Sequence, residues 1–258
     1  MKKLLWAILF LSFSIAIPAL ANDIDTKCPA FVYKEAPVAS ADQFICHTQY
    51  GIAYNYATKT AVYTTEYLDA SHTGDAKRTN DFRPDPAIPT EHSATLKDYL
   101  NTSTECNGAR CDRGHMTPDQ DFSSSPVTTS ESFFLSNMVP QNFQNNEIIW
   151  KYMETKIRKY VAAVGPVYVV TGPIYIKKPY ATIGTGVAVP DRLFKAVIDA
   201  KTGKSIAFLM DNTNYPVSSL AGLVVPLQDV EKVTGIIFDK SLDKKTSASY
   251  QAWFSPLK

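Results

Sequence analysis

An amphipathic helix set among Val-, Tyr- and Thr-rich runs is the feature that most limits what this chain can fold into. In "WKYMETKIRKYV" and the residues before it, Ile149, Met153, Ile157 and Tyr160 recur at helical spacing with charge placed around them. Residues 50–68, "YGIAYNYATKTAVYTTEYL", carry a turn-like break and read as a β-hairpin. "VYVVTGPIYI" (167–176) reads as a strand running into a Gly-Pro turn, and "LFKAVIDA" and "SIAFLMDN" as strands paired around "KTGK". "PLQDVEKVTG" reads as a helix closed by Gly235. "FFLSNMVP" (133–140) reads as a short buried strand ending in a turn. Residues 69–105 are polar and proline-punctuated, a long surface excursion of the kind that carries function, with a helical stretch around "SATLKDYL". Strands of antiparallel character and helices in this order predict an α+β fold.

The chain begins with Met1-Lys2-Lys3, an uncharged apolar run from Leu4 to Leu20, and the small-x-small pattern Ala19-Leu20-Ala21. That pattern predicts a signal peptide over residues 1–21, with one domain over 22–258 and no lasting membrane association once the leader is cut. The protein is then expected to be exported, either periplasmic or secreted. Without Lys2 and Lys3 the 26 basic side chains become 24, against 25 acidic ones. Net charge therefore advertises no nucleic-acid partner, and any such binding must use a local basic surface. Cys28, Cys46, Cys106 and Cys111 fit an oxidising compartment. Three pairings are open, and sequence proximity favours Cys28–Cys46 with Cys106–Cys111. Zinc is disfavoured, since no CxxC or CxxH spacing is present.

"CDRGHMTPDQDF" (111–122) gathers charged groups that a core would not hold without partners. Beside Arg113, the protonated form of His115 is disfavoured, and a neutral imidazole is what a general base requires. The plainer alternative is a surface salt bridge of Asp112 with an exposed histidine beside it. Asn146, Trp150 and Glu154 are spaced i, i+4, i+8 and share one broad helix face. Asn146 and Glu154 lie roughly 12 Å apart along the axis. Both can address a hard cation only if its hydration shell fills the gap. The neighbouring asparagines could equally be caps and turn residues. In "KRTNDFRPDP", Arg78 and Arg83 could clamp phosphate oxygens, or simply form a solvated charge run.

Taken together, "RTNDFRPD" (78–85), "DRGH" (112–115) and the pattern SN-x-x-PQ-x-x-x-x-N-x-x-x-W-x-x-x-E (136–154) resemble the DNA/RNA non-specific endonucleases, the ββα-metal class to which mitochondrial endonuclease G is related. "VTGPIY" (170–175), "VPDRLFKAVI" (189–198) and "DVEKVTGIIF" (229–238) extend the resemblance to nearly the whole chain after the leader. The resemblance implies a central antiparallel sheet flanked by helices, with a ββα-metal (His-Me finger) element. It implies a metal-dependent endonuclease that cuts DNA and RNA without sequence preference and leaves 5′-phosphates. By position, His115 matches the general base, Asn146 the ligand of Mg²⁺ or Mn²⁺, and Glu154 the carboxylate that holds a water of the ion. Arg78 matches the transition-state arginine, Arg113 and Asn137 supporting positions, and Asp112 the acid of the motif; Arg83 stays a candidate phosphate contact from the charge run alone. Family members often dimerise, so a homodimer is one assembly the resemblance allows. A phosphomonoesterase on the same scaffold and a silent nucleic-acid-binding protein are the alternatives.

Overall fold

The structure is a computed structural model and describes residues 23–257. The expected leader over 1–21 lies outside those residues. Two short elements, helix α1 (Asp23–Lys27) and strand β1 (Gln43–Cys46), precede the hairpin of β2 (Tyr50–Asn55) and β3 (Thr60–Leu68). Strands β4 (Cys111–His115) and β5 (Met138–Asn142) flank helix α2 (Pro126–Glu131). A π-helical turn over Asn145–Trp150 leads into α3 (Lys151–Ala163). Then come β6 (Val167–Ile174), β7 (Thr182–Ile183), β8 (Val187–Ala188), β9 (Arg192–Asp199), β10 (Ser205–Asp211) and β11 (Val224–Val225). Helices α4 (Leu227–Thr234) and α5 (Tyr250–Phe254) close the chain.

Seven strands form an antiparallel sheet in the order β1-β2-β3-β6-β9-β10-β11. Alternation along its central strands sorts two apolar layers. Val167, Val169, Leu193, Val197, Ile206 and Phe208 face Trp150, Met153, Ile157 and Val161 of the π-turn and α3. Val170, Phe194, Ala196, Ile198 and Ala207 face Leu227 and Val230 of α4. The sheet is thus covered on both faces, and the α+β reading holds.

The hairpin of 50–68, the strand pair around Gly203 and the helix ended by Gly235 all form as the sequence predicts. Gly235 takes φ 73° and donates its N–H to the Glu231 carbonyl, which closes α4. Within 69–105 the helical stretch is a single 3₁₀ turn, Leu96–Tyr99, held by a Thr95–Asp98 capping box. The expected strand at 133–140 is displaced. Leu135–Asn137 make a 3₁₀ turn and the strand begins at Met138, running through Pro140. Pro140 is tolerated because β5 pairs only with β4, leaving its other edge free of a ladder. Cys28–Cys46 ties the segment after α1 to β1, and Cys106–Cys111 ties the loop before β4 to its first residue.

Candidate active site

The β4–β5 pair stands apart from the main sheet and carries the "DRGH" residues. Its register sets Asp112 opposite Gln141, Gly114 opposite Val139 and His115 opposite Met138. Gly114 is required by close approach, since a Cβ there would lie 2.0 Å from Gln141 Oε1 and 2.6 Å from Gln141 Cβ. Gln141 is fully buried and donates to Asn145 Oδ1 at 2.7 Å. Asn145 in turn donates to the carbonyls of Asp211 and Thr213. This chain of amides anchors the end of β5 to the main sheet and fixes where the π-turn begins. The extra residue of a π-turn is a common device at functional sites, and Asn146 sits in its first positions.

A cavity of about 430 Å³ opens between this element and the excursion before it. Arg78, Arg113, His115, Asn146, Glu154 and Arg158 all contribute to its walls, with Asp119, Glu147 and Lys151 at its margins. Three of these residues hold buried polar atoms without a hydrogen-bond partner: His115 Nε2, Arg113 Nε and Glu154 Oε1. These three orphans converge on one cavity, where a single bound group could satisfy them together.

Electrostatics sharpen this. Burial, then the guanidinium groups of Arg78 and Arg113, lower the His115 pKa to about 3. The ring is therefore neutral at ordinary pH. It packs edge-on against Phe133 at 5.0 Å between centroids. Burial raises Glu154 to about 7, against the opposing pull of Lys195 and Arg158. Arg78 stays half exposed, steadied by Asp119 at 2.5 Å, Asn80 at 2.8 Å and the face of Phe133. Arg113 lies 4.3 Å from the Phe82 ring centroid.

Asn146 is oriented by its neighbour. Its Nδ2 donates to Asp112 Oδ2 at 2.9 Å. An ionised carboxylate can only accept, so the amide nitrogen must face it and the amide oxygen is left for another partner. Arg110 binds the other oxygen of Asp112 and also reaches Glu147 at 2.9 Å. Asn145 is fully buried with its amide spent on Gln141 and the β10 end, so Asn146 rather than Asn145 lines the cavity.

Three expected site residues are engaged elsewhere. Arg83 donates to the Asp81 carboxylate at 2.6 Å and the Ser130 carbonyl at 3.0 Å, and lies over Phe134. It stitches the excursion to α2 and does not line the cavity, because Asp81 two residues earlier captures it. Asn137 is fully buried, accepting from Thr117 N–H and Oγ1 and donating to the Thr117 and Ser132 carbonyls. It shapes the backbone that follows His115, with nothing left for a substrate. Asp112 holds Arg110 and Asn146, and its charge suits it to that positioning role rather than to binding phosphate.

Sequence reading alone missed Arg158, Asp121 and Lys195. Arg158 lies one helical turn beyond Glu154, a spacing that could have revealed it, and is held by Asp121 at 2.7 Å. Lys195 is fully buried in β9, its ammonium donating to the carbonyl of Met116 and to Thr171 Oγ1 beneath the Trp150 ring. It ties the residue after His115 to the main sheet.

The family model described as DNA/RNA non-specific endonuclease matches residues 29–245. The chain is 35% identical over 222 residues to the mitochondrial nuclease EXOG of Xenopus laevis, covering 79% of this chain and 59% of that protein. It therefore spans about three fifths of the length of that relative. It is 31% identical over 254 residues to the mitochondrial nuclease 1 of Schizosaccharomyces pombe, covering 88% of this chain and 75% of that one. The solved structure of EndoG in its complex with EndoGI shares the fold, with a TM-score of 0.73 at 24% identity over 89% of this chain and 97% of that chain. These relatives overturn one expectation. Both EXOG and nuclease 1 are mitochondrial, so the amino-terminal apolar run does not make this chain a periplasmic or secreted protein.

Proposed function

Because this chain belongs to the DNA/RNA non-specific endonuclease family, we propose that it is a metal-dependent endonuclease hydrolysing phosphodiester bonds of DNA and RNA, with His115 as general base. The observation that carries this is the convergence of a neutral buried imidazole, two guanidinium groups and an oriented amide oxygen on one cavity.

The donor set fits a hydrated divalent ion, Mg²⁺ or Mn²⁺. Among the described residues no group of three His, Cys, Asp or Glu side chains is placed to hold a metal. The free oxygen of Asn146 and the orphaned Glu154 Oε1 suit an ion that keeps most of its waters. Asn146 would hold the ion directly and Glu154 through water. When bound, the ion supplies Lewis-acid charge at the scissile phosphate and its leaving oxygen.

His115 takes a proton at its ring nitrogen from the attacking water, whose oxygen forms the new bond to phosphorus. The P–O3′ bond breaks, leaving a 5′-phosphate, and the 3′ oxygen gains a proton from solvent. Arg78 and Arg113 bind the phosphoryl oxygens as negative charge grows there. Burial is the larger cause of the His115 depression, and a phosphate seated between the two arginines offsets the smaller part that their charges add, so the imidazole becomes a better base when substrate is present. Contacts to phosphate rather than to base edges give cleavage without sequence preference.

Digestion of plasmid DNA and of RNA, with and without chelator, tests the proposal. Cleavage of both, abolished by chelator and falling steeply as salt rises, is the expected result. Hydrolysis of p-nitrophenyl phosphate with intact plasmid would instead make the protein a phosphomonoesterase.

A further inference from the structure

The reaction cavity continues past Arg158. A second cavity of about 340 Å³ adjoins it, and Gln120 and Arg158 stand in the walls of both. Its floor is apolar, made by the buried Leu68 at the end of β3 and Val161 of α3, with the exposed Ala70 and Ala162 on opposite walls. Thr73, Thr155 and Lys159 give it a polar rim. Arg158 is occupied by Asp121 and Thr155, whereas Lys159 is exposed and has no ion pair among the described residues. The volume falls in the range of about 300–1,000 Å³ typical of sites for small organic ligands.

A polynucleotide whose phosphate lies between Arg78 and Arg113 must continue beyond the reaction cavity on both sides. The second cavity shares Gln120 and Arg158 with the reaction cavity and so lies open to a continuation that runs along α3. Its aliphatic floor matches the face of a heterocycle, and its rim of hydroxyls and one ammonium matches sugar and phosphate. Within the lining only Gln120 carries a paired amide donor and acceptor, and it stands in the wall shared with the reaction cavity rather than on the apolar side.

We propose that this second cavity is a nucleotide subsite, which receives the unstacked base and sugar of the nucleotide next to the scissile phosphate. The proposal rests on the nuclease reading of the neighbouring site. Every base has an apolar face, so the apolar side of the subsite accepts any of them. It does discriminate by strand state, because a base in a duplex must first leave its stack to enter.

The test uses the full chain with Mg²⁺ and tetrathymidylates in which one central linkage is cleavable. One substrate is intact, and two others carry an abasic residue on either side of that linkage. In the wild type, loss of the base on one side lowers kcat/KM roughly tenfold, the scale of burying one base face against aliphatic surface, and loss on the other side does so far less. Ala162→Trp fills the cavity and brings the intact-to-abasic ratio close to one, whereas Ala162→Ser keeps it. If Ala162→Trp does not fold, Ala70→Trp fills the same space from the opposite wall. Equal rates on intact and both abasic substrates, or a wild-type ratio in the folded Trp variant, would overturn the subsite while leaving the nuclease reading intact. Failure to cut any of the three substrates would sink the nuclease reading and the subsite with it.

Discussion

Replacing Gly114 by alanine adds one methyl group at the tightest point of the site's scaffold. The new Cβ would fall 2.0 Å from Gln141 Oε1, 2.6 Å from its Cβ and 2.9 Å from its Cδ. Gln141 cannot swing to solvent, because it is fully buried and bonded to Asn145. Either β4 and β5 part, or Gln141 leaves its partner. Overpacking of this kind costs about 1–3 kcal/mol, and a buried amide left unpaired costs about 1–3 kcal/mol more. A middle value of about 3–4 kcal/mol corresponds to a fall in Tm of roughly 6–16 °C for a chain of this size. Activity should suffer more than stability. The displaced pair carries His115, and the broken amide chain sets the start of the π-turn that carries Asn146. Thermal unfolding followed by circular dichroism, with plasmid nicking measured well below the variant's Tm, separates the two effects. Nicking at least tenfold below wild type is expected from the folded variant. A Tm within 2–3 °C of wild type, under about 1 kcal/mol, together with full nicking activity would refute the packing argument.

Further outcomes follow from the same geometry. His115→Ala should lower nicking by about 10²–10⁴-fold, the usual worth of a general base, with the fold retained. Because the folded-state pKa of His115 is depressed to about 3, its contribution to stability is present above about 6.5 and lost as pH falls toward 3. The variant should accordingly be less sensitive to acid unfolding. Glu154 is shifted the other way, to about 7, so the metal-free protein loses stability as pH rises from about 4.5 through 7. Divalent-ion binding should strengthen over the same range and release protons, and calorimetry at pH 6 and pH 8 showing equal affinity would contradict that assignment. Replacing Cys106 and Cys111 together by serine should cost about 2 kcal/mol in chemical denaturation. It should also lower activity, since the bridge ends one residue before Asp112.

What the sequence disclosed and what it withheld divide along a physical line. The 50–68 hairpin, the strands joined at Gly203 and the helix ended by Gly235 are local: their periodicity and turn residues suffice. The start of β5 is not local. Phe133 and Phe134 look like strand residues, but Phe133 packs on His115 and Phe82, and Phe134 on His47. Site residues divide in the same way. The spacing of Asn146 and Glu154 placed both on one cavity wall, while Arg83 reads like Arg78 until the structure shows Asp81 and Ser130 holding it. Lys195 in "LFKAVI" would ordinarily point to water, and only the burial of β9 on both faces brings it beneath Trp150. The amide orientation of Asn146 depends on Asp112, 34 residues earlier, which no single-helix pattern can carry.

The central claim is that the imidazole of His115 and an ion held by Asn146 address one phosphate from opposite sides. Anomalous diffraction from crystals soaked in Mn²⁺ tests it most directly. One peak is expected in the cavity, within coordinating distance of the Asn146 amide oxygen, with the remaining ligands water and the His115 ring across the gap. Manganese bound elsewhere, or ligated by the His115 ring itself, would contradict the account.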